Sequence, residues 1–389
     1  MHLSLEGLFQ EIGAQKRIAR CIPTLGVIAL LLGAPSLPAS AQNASFHAAR
    51  SQGGVVHLVQ KGETLSSISV RFTGHPSHWR TIGRLNRIEN DRTIPVGTQI
   101  LIPGRLLPTK PVTASVIASV GNVLVQREHG QNLKLAVGEQ VMEGDRVTTL
   151  QDSFVTLSLI DGTRITLKPE TSAVFRKLRA NHHLNKPTSQ LFLERGRIDS
   201  SVTPASGNTR PSYEIVSPTA VSSVRGTVFR VAVDERRSLN ETISGTVAVS
   251  DGMRKKQRLV GEGFGTIVES GRVSAPIKLL EVPSLKDGYQ LQEKLPVEFS
   301  LLHKDAAAYH ALISTDPTGT NIVQAAQATS AGGVTKVRFA DLPDGNYFVQ
   351  YSAASASGLH GLQGTVPFRL KARPVPPIVM QRETRVQGS

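Results

Sequence analysis

The chain has 389 residues, room for about two to four domains. Hydrophobic residues make up 39%, aromatics only 5%, and there are 34 Gly and 22 Pro. That excludes a wholly disordered chain and points to many turns between short strands. The formal net charge of +14 favours polyanionic surroundings: nucleic acid, anionic headgroups, or a carboxylate- and phosphate-rich cell envelope. The single Cys excludes an internal disulfide.

Residues 1–41 read as a secretory signal peptide. Lys16, Arg17 and Arg20 form a basic patch, Ile22 to Leu32 an apolar run, and Ala39-Ser40-Ala41 a small-residue cleavage site. The apolar run is short of the roughly 18–20 residues that span a bilayer. Cleavage removes Cys21, so the mature chain is expected to lack cysteine. Ile18-Ala19-Arg20 before it does not form a lipoprotein box. An exported basic protein is expected to meet envelope anions and no nucleic acid, with no transmembrane segment in the mature chain.

A polar linker (42–54) precedes the first module, 55–103. His57 to Gln60 reads as a strand and Lys61-Gly62-Glu63 as a turn. Thr64 is placed to N-cap a helix with Leu65 and Ile68 on one face. Trp79, Ile82 and Leu85 mark a second helix ending near Asn86. Leu65, Ile68, Trp79 and Leu85 are expected in the core, with the Leu65 backbone at the surface; for Trp79, stacking on a ligand is the open alternative. Gln99 to Ile102 is a second strand, closed by Pro103. Gly62-Glu63-Thr64-Leu65, Leu85-Asn86 and the stretch from Ile94-Pro95 to Ile102-Pro103 together resemble the LysM domain. That family binds N-acetylglucosamine glycans in a shallow groove between the first strand–helix turn and the loop after the second helix. The resemblance implies Gly62, Glu63, Thr64 and Leu65 on one wall and Asn86, Arg87 and Ile88 on the other. Glu63 stands where the family usually has Asp, and His57 where it has Tyr or a similar residue.

Leu106 to Thr113, with Pro108 and Pro111, reads as a linker (104–113). From Ala114 the period changes to two. Val155, Leu157 and Leu159 alternate with polar residues, Asp161-Gly162 turns, and Ile165 and Leu167 resume. Gly144-Asp145, Gly196 and Asp251-Gly252 are read as breaks between strands. Ser217-Pro218-Thr219-Ala220 followed by Val224-Arg225-Gly226-Thr227-Val228-Phe229-Arg230-Val231 resembles the FecR domain, here spanning 114–275. A membrane-embedded regulator's signalling role does not follow from that module alone. Arg225 reads as a structural ion pair beside a tight corner at Gly226.

Short alternating strands continue over 283–371, with Leu342-Pro343-Asp344-Gly345-Asn346-Tyr347 and Gly358-Leu359-His360-Gly361. They resemble a fibronectin type III-like β-sandwich with Tyr347 and Tyr351 in core or corner positions. Residues 372–389, rich in Pro, read as a disordered tail. The expected fold class is therefore multidomain and mainly β: a small α+β module (strand-helix-helix-strand), a β-rich FecR-type domain and an Ig/fibronectin-like β-sandwich.

No catalytic motif emerges. A mature chain without Cys has no thiolate nucleophile. His75 and His78, and His182-His183, lack the partners of a zinc site, and no G-x-S-x-G elbow is present. Gly261, Gly263 and Gly265 lack the Lys of a phosphate loop. The expectation is a non-catalytic periplasmic or cell-surface protein without cofactor or metal. It binds peptidoglycan, or a related N-acetylglucosamine glycan, and presents its β-modules to an unknown envelope protein. Two alternatives stay open: a peptidoglycan hydrolase with two unrecognised carboxylates, and a periplasmic signalling component related to iron-uptake regulators.

Overall fold

The computed structural model describes residues 54–372, except 92, 128–129, 182, 184–185, 205–212 and 288–290. Residues 1–41, read from sequence as a signal peptide, most of the first linker, His182 and the segment beyond 372 lie outside the described residues.

The N-terminal layer is β1 (Gly54–Leu58), α1 (Leu65–Thr73), α2 (Trp79–Asn86) and β2 (Gln99–Pro103), with a 3-10 turn at Pro76–His78. β1 starts three residues earlier than the sequence suggests and ends at Leu58. It pairs antiparallel with β2, Val56 opposite Leu101. Leu65, Ile68, Ile82, Ile100 and Ile102 are fully buried between the sheet and the helices. Trp79 packs on this core only partly buried. Leu85 corrects the sequence reading: it is 41% exposed. A strict three-residue spacing drifts around a 3.6-residue helix. The buried stripe instead continues from Ile82 to Gly83 and the half-buried Asn86.

The segment after β2 is no simple linker. Leu107 is buried in the small core, and Thr109–Pro111 pairs with the strand Ser172–Asn181.

Strands from Thr109–Pro111 to Ile277–Lys278 close into a barrel. Its wall is two sheets sharing the long strand Lys186–Ser201. The N-terminal half of that strand pairs with Ser172–Asn181 and, in parallel, with Tyr213–Val216. Its C-terminal half pairs with Arg164–Leu167 and Val228–Val233. Gly196 lies inside this strand at φ 91°, so it marks a bend rather than a break. A side chain there would fall on Thr171. Val155, Leu157, Ile165, Leu167 and Phe229 are buried in the shared core. Gly226 does form a tight corner, because a Cβ there would sit 2.5 Å from the Pro204 Cα. Arg225 is exposed; the buried cation is Arg230, five residues on.

The last module has a three-stranded sheet (Ser284–Leu285, Val297–Leu302, Thr335–Phe339) facing a five-stranded one built on Gly345–Ala354. Phe299, Phe339, Tyr309, Val349 and Phe368 fill the space between them. The Tyr347 hydroxyl donates to the Pro343 carbonyl at 2.9 Å, and Tyr351 is also buried.

Module and barrel are packed together. Leu359 joins Leu239 and Leu279 in a separate apolar cluster. Around it, Arg230 donates to the Gly361 carbonyl at 3.0 Å and Leu362 N–H to the Leu280 carbonyl at 2.8 Å. The His360 N–H donates to Glu241 Oε1 at 2.7 Å. Glu241 Oε2 also receives Arg197, and Arg230 lies 3.5 Å away.

Candidate functional site

The turn from β1 to α1 is held by three residues. Gly62 takes φ 84°, a left-handed conformation that only Gly adopts without strain. Thr64 caps α1 in a reciprocal box. Its Oγ1 accepts from Ser67 N–H at 3.1 Å, and its own N–H donates to Ser67 Oγ at 2.9 Å. Glu63 binds the turn together. It accepts from the Gln60 N–H at 2.8 Å, from His57 Nε2 at 2.6 Å and from Arg71 at 3.0 Å. The Gln60 amide and then the His57 ring hold this carboxyl below its usual range, against a small opposing effect of burial.

The second wall follows α2. Arg87 closes the helix at φ 55°, and Ile88 N–H donates back to the Gly83 carbonyl at 2.9 Å. Asn86 clamps α2 to β2: its amide donates to the Ile82 and Leu101 carbonyls, both at 2.8 Å, and its oxygen accepts from Leu101 N–H at 2.7 Å.

The two walls meet over Gly83. A Cβ on Gly83 would lie 3.0 Å from Leu65 Cδ1 and 3.5 Å from the Ile88 carbonyl. The turn at 62–65 and the loop at 86–88 are therefore at one end of the layer. Their residues divide by exposure. Gly62 and Arg87 are exposed, and Glu63, Thr64, Asn86 and Ile88 are half-buried. Leu65 is fully buried: its side chain lies in the core as expected from sequence, but its backbone does not reach the surface, which corrects the expectation that it lines the groove. The polar groups of Glu63 and Asn86 are engaged within the fold. The exposed Leu85, next to Asn86, and the half-exposed Ser66 were not singled out from sequence as surface groups here. For Leu85 the signal was its drift off the Ile82 face.

Among the described residues no group of three or more His, Cys, Asp or Glu is placed to hold a metal ion. His75 and His78 meet edge to face at 5.2 Å, and His78 Nδ1 lies 2.9 Å from Thr73 Oγ1. His183 is exposed, with its ring against Phe72 of α1. Among the described residues no helix is long and apolar enough to cross a membrane.

The family model of the LysM domain matches residues 57–103, and that of the FecR protein matches residues 145–248. No curated protein is similar to the chain. Among solved structures, a candidate anti-sigma factor from Parabacteroides distasonis is 17% identical over 34% of this chain and 59% of its own, with a TM-score of 0.28. The extracellular domain of a candidate hybrid two component system from B. thetaiotaomicron is 7% identical over 72% of this chain and 61% of its own, with a TM-score of 0.16. The chain spans less than two thirds of the length of either structure.

Proposed function

We propose that this is a non-catalytic protein of the bacterial cell envelope that holds an N-acetylglucosamine glycan, peptidoglycan foremost, through its LysM domain. The observation that carries the reading is the convergence of the 62–65 turn and the 86–88 loop over Gly83, within a segment that matches the LysM family model. The exposed groups at this end are Gly62, Leu85 and Arg87, with Ser66, Thr64 and Ile88 half-exposed. Leu85 and Ile88 offer an apolar surface for a sugar face or N-acetyl methyl. Backbone groups around Gly62 and the Thr64 and Ser66 hydroxyls offer hydrogen bonds. Glu63 and Asn86 shape the walls rather than touch the ligand. The barrel and the fibronectin-like sandwich serve as scaffold and as a surface for an envelope partner. Export through residues 1–41 delivers the chain to the periplasm or cell surface.

Co-sedimentation with purified peptidoglycan tests this. The protein should pellet with the polymer, and a chain lacking 42–104 should pellet far less. Because the chain carries +14, the assay is repeated at 1 M salt, where the Debye length is about 3 Å and exposed ionic contacts fade. Binding that disappears in salt, or that survives the deletion, rules out glycan recognition by this domain.

A further inference from the structure

Between the barrel and the C-terminal module lies a cleft of about 520 Å³. It shares Lys168, Asp199 and Arg230 with a neighbouring pocket of about 220 Å³. Cavities of this combined size accept a ligand of one or two rings.

Apolar side chains such as Phe154, Ala232 and Leu312 make up much of the lining, and the charges set among them balance. Lys168, Arg197 and Arg230 line the larger cleft, with Arg164 in the smaller pocket. Against them stand Asp199, Asp152 and Glu170, with Glu241 behind Arg197 and Arg230. Lys168 Nζ is 3.1 Å from Asp199 Oδ2. Such a lining has no net preference for an anion or a cation.

On the module side His310 and His360 stack with ring centroids 4.0 Å apart, 27° from parallel. Both line the cleft, and the ring nitrogens of neither have a protein hydrogen-bond partner among the described residues. Burial first, then the nearby Arg197, pushes both imidazoles down, His310 to about 4. Both are therefore neutral at ordinary pH, and each presents one donor and one acceptor.

We propose that this cleft is a binding site for a neutral polyhydroxylated ligand, a saccharide of one or two rings, held by the unpartnered nitrogens of His310 and His360 and by Lys168 and Asp199. A sugar hydroxyl both donates and accepts. Vicinal hydroxyls can therefore meet donor and acceptor groups side by side without bringing a charge into a balanced site. The ligand touches both modules, so it stabilises their docking. This site is separate from the LysM groove and does not rest on the reading of that groove.

The test is NMR of the histidine ring resonances in the intact mature protein. It is titrated with cellobiose, maltose, lactose and N,N′-diacetylchitobiose, and in parallel with galacturonic acid and diglycine. At least one neutral disaccharide should shift the His310 and His360 signals saturably. His360→Phe keeps the stack and the backbone bond to Glu241 but removes two ring nitrogens. Read at His310, it should bind about tenfold more weakly. The proposal is overturned if no neutral disaccharide moves these signals or if galacturonic acid or diglycine binds more tightly. It is also overturned if only the His57 signal moves, or if His360→Phe binds like the parent.

Discussion

At the residue scale, side chains near the 62–65 turn and the 86–88 loop divide into those that hold the fold and those that face solvent. Asn86 makes three hydrogen bonds to backbone groups of α2 and β2. Asn86→Ala leaves those groups without their partner, and chemical denaturation should show a loss of about 2–3 kcal/mol. Leu85 is in the opposite situation, because it makes no such bonds and 41% of it faces solvent. Leu85→Ser should leave the melting curve nearly unchanged, yet calorimetry with chitin oligomers should show affinity about tenfold lower. A variant that keeps full affinity would remove Leu85 from the sugar-facing surface. Gly62→Val meets no neighbouring atom, since nothing lies within 4 Å of a Cβ there. Its cost is strain at φ 84° alone, about 1–2 kcal/mol on the melt.

At the scale of elements, the loop Gly358-Leu359-His360-Gly361 is the latch between barrel and module. Leu359 fills the apolar cluster with Leu239 and Leu279, while its neighbours meet Glu241 and Arg230. Gly361 is required by space: a Cβ would come 2.5 Å from the Leu280 carbonyl, which is backbone and cannot move aside alone. Gly361→Val should therefore release the module without unfolding it, read as faster limited proteolysis between 275 and 297 with both cores still melting cooperatively. Arg230→Met acts on the same seam. It leaves Glu241, 1% exposed, with Arg197 as its remaining cation and the Gly361 carbonyl without its donor, a loss of about 1–3 kcal/mol. The module's melting transition, or the barrel's, should drop accordingly.

For the whole molecule, the packed seam predicts acid sensitivity. His310 titrates near 4 when folded, against 6.5 for a free imidazole. His360 is shifted the same way. The groups facing them are Lys168, Arg197 and Arg230, with Asp199 and Glu241 as counter-charges. A depressed histidine stabilises the fold fully above pH 6.5. That contribution is lost as pH falls from 6.5 through 4, because the unfolded chain takes up the proton first. For His310 the loss is on the order of 3 kcal/mol. Melting temperature should fall over this interval, and the double variant His310→Phe with His360→Phe should flatten the fall. An unchanged acid limb in that variant would place the sensitivity elsewhere.

Local chemistry determined much of this protein from sequence alone. The turn at Gly62, the cap at Thr64, the hairpin at Asp161-Gly162 and the alternation of Val155, Leu157, Ile165 and Leu167 depend on backbone preference and period, which neighbouring residues encode. They suffice for a mainly β chain opening with a strand-helix-helix-strand layer and for the two segments that match family models. Tertiary structure decided what depends on residues distant in the chain. Leu85 became surface because the partner of α2 is Leu65, reached across Gly83. Glu63 and Asn86 became clamps because their acceptors and donors lie on other elements. Gly196 became a bend because one strand serves two sheets. The meeting of Arg197, Arg230 and Glu241 with His360, about 120 residues further on, is a product of docking two modules, which no local pattern in the chain records.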